Sequence, residues 1–433
     1  MPEYVKEPKP VPTAVTEGVR NTVSEILSAV EREGIKAVRR YSEQLDDWNP
    51  DSFRVSQDDI DRAEAELDDE LKGHIAFAQE QIRNFAELQR RSLTEFEAET
   101  LPGVWLGQKL IPINAVGSYS PGGRYPLLAS SIMTVVVPKV AGVPRVVACA
   151  PPRRGTGGIH PPQLYAMATS GADAIVCLGG VQALAAMAYG VEEIEPVDFV
   201  VGAGNAFVAE AKRQLFGVVG IDLLAGPTET LVLADDSADP DLVAIDLLGQ
   251  AEHGTNSPCW AATTSRDFGE AVLKAVDRWL EVWPTADAAR ASWDDLGGIM
   301  VCQDDEEMVR LADEYAPEHL EVQTRDPDWF LARLTNYGSL FLTPHTTVAY
   351  GDKAIGTNHV LPTGRAARYT GGLWVGKFLK TVTYQRATAE GSRLVAPAVA
   401  AICDAEMMLG HAISARYRLD PEGTRQKLLG EPA

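Results

Sequence analysis

The chain is predicted to be an α/β protein with two parallel-sheet domains, each an incomplete version of the Rossmann arrangement. Three observations carry that reading. Beyond Leu101, short apolar runs alternate with helical segments: Ile132 to Val137, Val146 to Ala150, Ala174 to Leu178, Phe199 to Gly202 and Thr230 to Leu233 read as strands, with small-residue helices such as Gln182 to Tyr189 between them. A second alternating stretch holds the strand-like runs Ile299 to Cys302, Leu320 to Gln323 and Ser339 to Leu342. The N-terminal region and the C-terminal tail keep helical spacing instead. Residues 1–118 with 236–372 are therefore expected to form one domain, 119–235 the other, and 373–433 an extended helical tail.

In order, Val19, Val23, Ile26, Leu27, Val30, Val38 and Tyr41 follow helical spacing interrupted near Gly34, which predicts two helices. Ser56 is a candidate N-cap with Asp59 three residues on, opening a helical region through Ile60, Leu67, Leu71, Ile75, Ile82 and Phe85. The loop Tyr119-Ser120-Pro121-Gly122-Gly123-Arg124-Tyr125-Pro126 either brings Arg124 to a ligand or is a structural turn. Gly179-Gly180-Val181-Gln182 and Gly202-Ala203-Gly204-Asn205 each follow a strand. Glycine there lets backbone N–H groups approach a phosphate, but neither turn completes GxGxxG, and both also read as ordinary strand-to-helix turns.

Leu242, Val243, Ile245, Leu247 and Leu248 predict a helix burying one side, so that Gln250 and His253, three residues apart, share a face. Downstream lie Ala316-Pro317-Glu318-His319-Leu320, the glycine-rich run from Gly351-Asp352 to Gly364 with His359 inside it, and Gly410-His411-Ala412 near the end of an apolar helical tail. Of the 7 histidines in the chain, these patches hold four.

Composition narrows the class. With 433 residues, 45% hydrophobic and 23% charged, the chain has material for large cores. Its 61 acidic and 39 basic residues give a net charge of -22, which repels a phosphate backbone and argues against a nucleic-acid partner. The 5 cysteines stand apart without a CxxC pair, so neither a thiolate zinc site nor a disulfide framework is expected. No apolar signal core or membrane-length apolar stretch occurs, and a cytoplasmic enzyme without a membrane partner is expected.

Two His, one Asp and one Gln satisfy the four-coordinate preference of zinc, with the Gln carbonyl as the weak, exchangeable ligand. Taken singly, Asp352 reads equally as a turn cap and His411 as a helix-end cation. The adjacent Glu318 and His319 offer proton acceptors of different basicity, suited to deprotonating an alcohol and to activating water. A proline-initiated turn with an acidic first residue accounts for Glu318 alone and leaves His319 without a role.

Together and in this order, the motifs Tyr119-Ser120-Pro121-Gly122-Gly123, Gly202-Ala203-Gly204-Asn205, Leu224-Ala225-Gly226-Pro227-Thr228-Glu229, Gln250-Ala251-Glu252-His253-Gly254, Ala316-Pro317-Glu318-His319-Leu320 and Gly356-Thr357-Asn358-His359-Val360-Leu361-Pro362 resemble the histidinol dehydrogenase family. The resemblance runs from about Val19 to Arg418. It implies a zinc- and NAD-dependent dehydrogenase that takes a primary alcohol through the aldehyde and its hydrate to a carboxylate. By match, Gln250, His253, Asp352 and His411 would bind zinc, His319 would be the general base, and Glu318 would activate water. His359 and Glu406 would face the substrate, while Tyr119, Gln182 and Asn205 would line the NAD site in the 119–235 domain. The family forms homodimers in which the tail reaches the partner, so His411 would complete the neighbouring site.

Departures from the biosynthetic pattern point to a different substrate. Arg124-Tyr125 stands where Thr-Ala is usual, Thr228 where a substrate-facing serine is usual, and Ala203 where proline is usual. The loop and the tail look more like the family's catabolic branch, typified by sulfopropanediol 3-dehydrogenase. A sulfonate needs a cation, for which Arg124 and Arg416 are candidates, although each also reads as a surface arginine paired with an acid. The expected substrate is 2,3-dihydroxypropane-1-sulfonate, with L-histidinol as the alternative within the family. From other classes, a zinc hydrolase would use the same ligands without NAD, and a non-catalytic binding protein would keep the fold without either.

Overall fold

A computed structural model describes residues 3–11, 16–122 and 125–430, so Arg124 lies outside the described residues. The chain divides into two units, Met1–Arg90 with Ile113–Phe378, and Arg91–Pro112 with Leu379–Ala433. The predicted α/β class holds.

The first unit contains two open sheets. Its five-stranded sheet runs in the order Ala174–Cys177, Arg145–Ala150, Ala115–Tyr119, Phe199–Val201, Gly220–Ile221, all parallel. Its six-stranded sheet runs Glu3–Lys6, Gly298–Val301, Cys259–Thr263, Thr230–Ala234, His319–Gln323, Ser339–Leu342, parallel except for the antiparallel edge strand Glu3–Lys6. Leaving that edge strand aside, both sheets start in the middle, grow to one side and then jump to the other. This is the doubly wound order, whose crevice opens where the direction of growth reverses.

Local signals set the helices that cover these sheets. Gly34, at φ 59, separates the helices Glu17–Glu33 and Ile35–Asp46. Ser56 and Asp59 form a complete capping box at the start of helix Gln57–Ala65. Helix Pro240–Ala251 buries Val243, Leu247 and Leu248 in a cluster on one face of the six-stranded sheet, while Leu320 and Val322 join Met308 and Phe330 on the other. Both faces being covered, strand His319–Gln323 is buried throughout, yet it alternates apolar Leu320 and Val322 with polar His319, Glu321 and Gln323.

Two features differ from the sequence reading. The run Ile132 to Val137, expected as a strand, lies in helix Leu128–Ala141, where every residue from Ala129 to Pro138 is buried. A helix buried all round loses its amphipathic period, and its β-branched residues then imitate a strand. The N-terminal helices, expected with the 236–372 domain, instead place Val23, Ile26, Val30 and Val38 in one apolar cluster with Leu184, Val200 and Val208 of the five-stranded layer.

The second unit is a three-stranded antiparallel sheet, Leu379–Ala387 beside Val104–Pro112 beside Phe96–Leu101, with helices Ala389–Ala405, Leu409–Leu419 and Pro421–Leu429. Among the described residues no helix is long and apolar enough to cross a membrane. All five cysteines are free and buried.

Candidate active site

A cleft of about 480 Å³ in the first unit gathers Tyr119, Asn205, Thr228, His253, Glu318, His319, Asp352 and His359. The five-stranded sheet contributes its carboxyl ends: Tyr119 closes the strand Ala115–Tyr119, while Gly180 and Asn205 follow the next strands and open helices Gly180–Tyr189 and Ala206–Leu215. The six-stranded sheet contributes its amino ends. Thr228 precedes the strand Thr230–Ala234, and Glu318 and His319 stand at the start of His319–Gln323.

On that side three titratable groups lie in line. His319 Nδ1 is 3.6 Å from Glu318 Oε2, and His319 Nε2 is 3.4 Å from Asp352 Oδ1. Neither ring nitrogen completes a hydrogen bond among the described residues, so the imidazole is held by charge and packing and keeps both nitrogens for chemistry. Burial opposes its charge, but Glu318 and Asp352 outweigh burial and push its pKa up to about 9. Burial also raises Glu318, to about 8, although His319 pulls the other way. Burial works against the Asp352 charge as well, yet His319, His359 and Lys353 hold this carboxyl well below its ordinary range.

His359 Nδ1 lies 3.0 Å from the Asp352 carbonyl oxygen, which only accepts, so Nδ1 carries the proton. Nε2, 2.7 Å from Ser130 Oγ, then accepts, and the ring sits as a fixed neutral tautomer. Burial lowers its pKa in agreement. His253 is exposed toward the cleft and Gln250 is buried one turn earlier. Desolvation lowers the His253 pKa and keeps its lone pairs available, while the Gln250 Oε1, though buried, finds no partner among the described residues.

The opposite wall carries the turns that follow the strands of the five-stranded sheet. Gly202 sits at φ 130, and a Cβ there would lie 2.0 Å from the Tyr119 carbonyl oxygen, so only glycine lets the turn pass. Asp222 accepts from Gly202 N at 2.9 Å, Lys212 donates to the Gly202 carbonyl at 2.9 Å, and the two buried side chains pair with each other. Asn205 Oδ1 caps its helix by accepting from Phe207 N and Val208 N. Tyr119 Oη accepts from Gly180 N at 3.2 Å. Gln182 is fully buried behind the wall, where its Nε2 donates to Asp46 at 3.0 Å, and Asp46 itself lines the cleft.

Three expected residues belong to the second unit. Glu406 ends helix Ala389–Ala405, His411 sits in the first turn of Leu409–Leu419, and Arg416 pairs with Asp404 on the neighbouring helix. The sequence reading missed Asp46, Arg154 and Lys353 on the cleft wall and Glu229 beneath it, whose carboxyl burial raises to about 7. Lys353 had a visible signal in its place next to Asp352, and Glu229 closes the Leu224–Glu229 motif; Asp46, in a plain helix, had none.

A family model for histidinol dehydrogenase matches residues 10–419. The chain belongs to the histidinol dehydrogenase family. It is 53% identical over 405 residues to a histidinol dehydrogenase homolog of Shouchella clausii, covering 94% of this chain and 95% of that one. It is 48% identical over 419 residues to the sulfopropanediol 3-dehydrogenase of Ruegeria pomeroyi, covering 96% of each. The histidinol dehydrogenase of Rhizobium meliloti is 41% identical over 409 residues, 94% of this chain and 93% of its own. The crystal structure of histidinol dehydrogenase from Elizabethkingia anophelis superposes with a TM-score of 0.90 at 33% identity, covering 96% of this chain and 94% of that one. Membership makes the chain an oxidoreductase acting on CH–OH groups.

The family implies a metal, and the donor set accommodates one. Among the described residues no three His, Cys, Asp or Glu converge tightly enough to hold an ion unaided. The chemistry of the residues present fits such an ion: His253 and Asp352 line the same cleft, the Gln250 oxygen is buried without a partner among the described residues, and imidazole, carboxylate and amide oxygen are all donors that zinc accepts.

Proposed function

We propose that this chain is a zinc- and NAD-dependent dehydrogenase that takes a small polar primary alcohol through the aldehyde to the carboxylate. The favoured substrate is 2,3-dihydroxypropane-1-sulfonate, going to sulfolactate. The observation that carries the reading is the buried line Glu318, His319, Asp352 facing a wall of strand carboxyl ends and helix starts.

Each oxidation removes a hydride and a proton, and the second also consumes a water. His319, in its neutral form, takes the hydroxyl proton as the hydride leaves carbon for NAD. Glu318 takes a proton from the water that adds to the aldehyde carbon, and the hydrate gives up the second hydride and a further proton. Asp352 orients the His319 ring through its 3.4 Å approach. Gln250, His253, Asp352 and His411 would hold zinc, which would supply Lewis acidity to the reaction when bound. Tyr119, Gly180 and Asn205 would line the NAD site on the opposite wall, where the two helix starts favour an anionic group.

In a homodimer His411 would complete the neighbouring chain's site, a reading supported by the second unit's exposed Ile402 (58%), Met407 (84%) and Leu409 (61%), an apolar surface of the kind a second copy covers. The substrate choice rests on the 48% identity to sulfopropanediol 3-dehydrogenase against 41% to a histidinol dehydrogenase. The test is NADH formation by purified protein with NAD and either 2,3-dihydroxypropane-1-sulfonate or L-histidinol, each with and without a chelator. Chelator-sensitive turnover of the sulfonate is expected. Turnover of histidinol alone would move the chain to the biosynthetic reaction, and hydrolysis without NAD would overturn the dehydrogenase.

A further inference from the structure

Among the described residues one arginine and one lysine line the cleft, Arg154 and Lys353, in a chain of net charge -22. Their neighbours differ. The charge of Arg154 is felt by Asp46, the carboxylate that Gln182 binds at the cofactor wall. Lys353 ends helix Val348–Lys353, and its charge acts on His253, Asp352 and His359, the residues of the metal and substrate side.

Lys353 is weakly engaged there. Its side chain is 56% exposed and its Nζ stands 3.9 Å from Asp352 Oδ2, at the limit of an ion pair. Asp352 turns its other oxygen to His319. An ammonium has three N–H donors, and an exposed pair at that separation contributes little to stability, so this side chain holds no fold together. What it does is bring a positive charge to the cleft that acts on His253 and His359. Of the two arginines expected to serve an anion, Arg416 pairs with Asp404 in the other unit, and Arg124 lies outside the described residues.

We propose that Lys353 is the subsite for an acidic group on the alcohol substrate, so that the enzyme selects alcohols bearing a sulfonate or carboxylate over neutral polyols. The inference rests on the dehydrogenase reading and adds the residue that reads the anion. Discrimination comes from pairing the ammonium with a substrate oxyanion in place of water, which binds the substrate without assisting hydride transfer. The effect belongs in KM more than in kcat.

The experiment compares the zinc- and NAD-loaded wild type with Lys353→Gln and Lys353→Arg on 2,3-dihydroxypropane-1-sulfonate, on D-glycerate and on glycerol. Zinc content and circular dichroism are measured on each protein. For K353Q, kcat/KM on the two acids is expected to fall at least about tenfold further than on glycerol, mostly through KM, with K353R recovering most of the loss. The two acids separate a subsite for any anion from one that prefers a sulfonate. Equal losses on acids and glycerol, or no change on the acids, would overturn the subsite while leaving the dehydrogenase intact. Binding of the unreactive anion methanesulfonate, measured by calorimetry, keeps the two questions apart. Binding to wild type and not to K353Q supports the subsite even if no alcohol is oxidised, whereas equal binding or none overturns it.

Discussion

The two parallel sheets of the first unit are wound in the same order, yet one turns its carboxyl ends to the cleft and the other its amino ends. The five-stranded sheet behaves as a doubly wound sheet is expected to. Its strands run into helix starts, and the turns Gly180, Ala203, Gly204 and Asn205 line the cleft beside Tyr119, Asp46 and Arg154. The six-stranded sheet cannot offer helix N-termini from the end it presents, so its half of the cleft is furnished with side chains, Glu318, His319 and the nearby His253 and Asp352. The lesson is a division of labour by sheet polarity. Carboxyl ends suit an anionic cofactor that needs few charges, and amino ends need titratable groups to do anything at all.

Metal removal is the strongest test of the side-chain half. Chelation is expected to lower turnover by about 10³-fold or more, with return on adding zinc. Gln250→Ala should release zinc to a competing dye at lower dye concentration than wild type does. A mixture of His253→Ala and His411→Ala chains, each inactive alone, should regain activity if the tail ligand comes from a second copy. No recovery would place His411 in its own chain's site.

Next comes proton transfer. His319→Ala is expected to lower kcat by about 10²–10⁴-fold, and Glu318→Gln to stop at the aldehyde, detected with a carbonyl reagent. Both groups carry raised pKa values, so the active base forms as pH rises. The wild-type rate should climb through apparent pKa values between about 8 and about 9. A rate independent of pH from 6 to 10 would remove His319 from the base role.

The backbone half should respond more gently. Lys212→Met leaves Asp222 buried without its partner and frees the Gly202 carbonyl, which loosens the turn leading to Ala203, Gly204 and Asn205 on the cleft wall. About a tenfold rise in KM for NAD with little change in kcat is expected, read by NAD titration. A kcat loss larger than the KM change would show that this wall takes part in the chemistry and would blur the division between the halves.

Much of this was legible in the sequence, for reasons that also mark where legibility ends. Gly34 and the Ser56 and Asp59 capping box are local signals, and local signals survive without the fold, whereas the helical face expected to carry Gln250 and His253 together ends at Ala251, before His253. Leu128–Ala141 failed because total burial erases its period. The antiparallel pairing of Val104–Pro112 with Leu379–Ala387 joins segments far apart in the chain, and much of it is exposed, so neither alternation nor a turn announced it. Asp46 acquires meaning only from what the fold puts beside it.

The smallest expected effect concerns what lies beneath each half. Under the backbone wall the buried charge is a matched pair, Lys212 with Asp222. Under His319 it is two acids. Glu321 accepts from Val348 N at 3.2 Å and Asp246 accepts from Thr347 Oγ1 at 2.9 Å, with the Gln323 amide donating to both, so helices Pro240–Ala251 and Val348–Lys353 are tied to the catalytic strand through carboxyls. Burial, with Asp246 beside it, raises Glu321 well above its ordinary value, and burial raises Asp246 too. A carboxyl raised in the folded state binds its proton more tightly there than when unfolded. Its stabilisation is therefore complete at low pH and declines as pH rises above the unfolded value, by about 1.4 kcal/mol for each unit of the shift. Glu321→Gln keeps the oxygen that accepts from Val348 and replaces the proton with a permanent amide donor, so it should flatten the fall in Tm between pH 5 and pH 9. Asp222→Asn, which strips the charge from the matched pair, should lower Tm at every pH without flattening that slope. If both variants leave the same pH dependence as wild type, the acid pair is not where the amino-end half stores its cost, and the contrast between the two halves stops at the cleft surface.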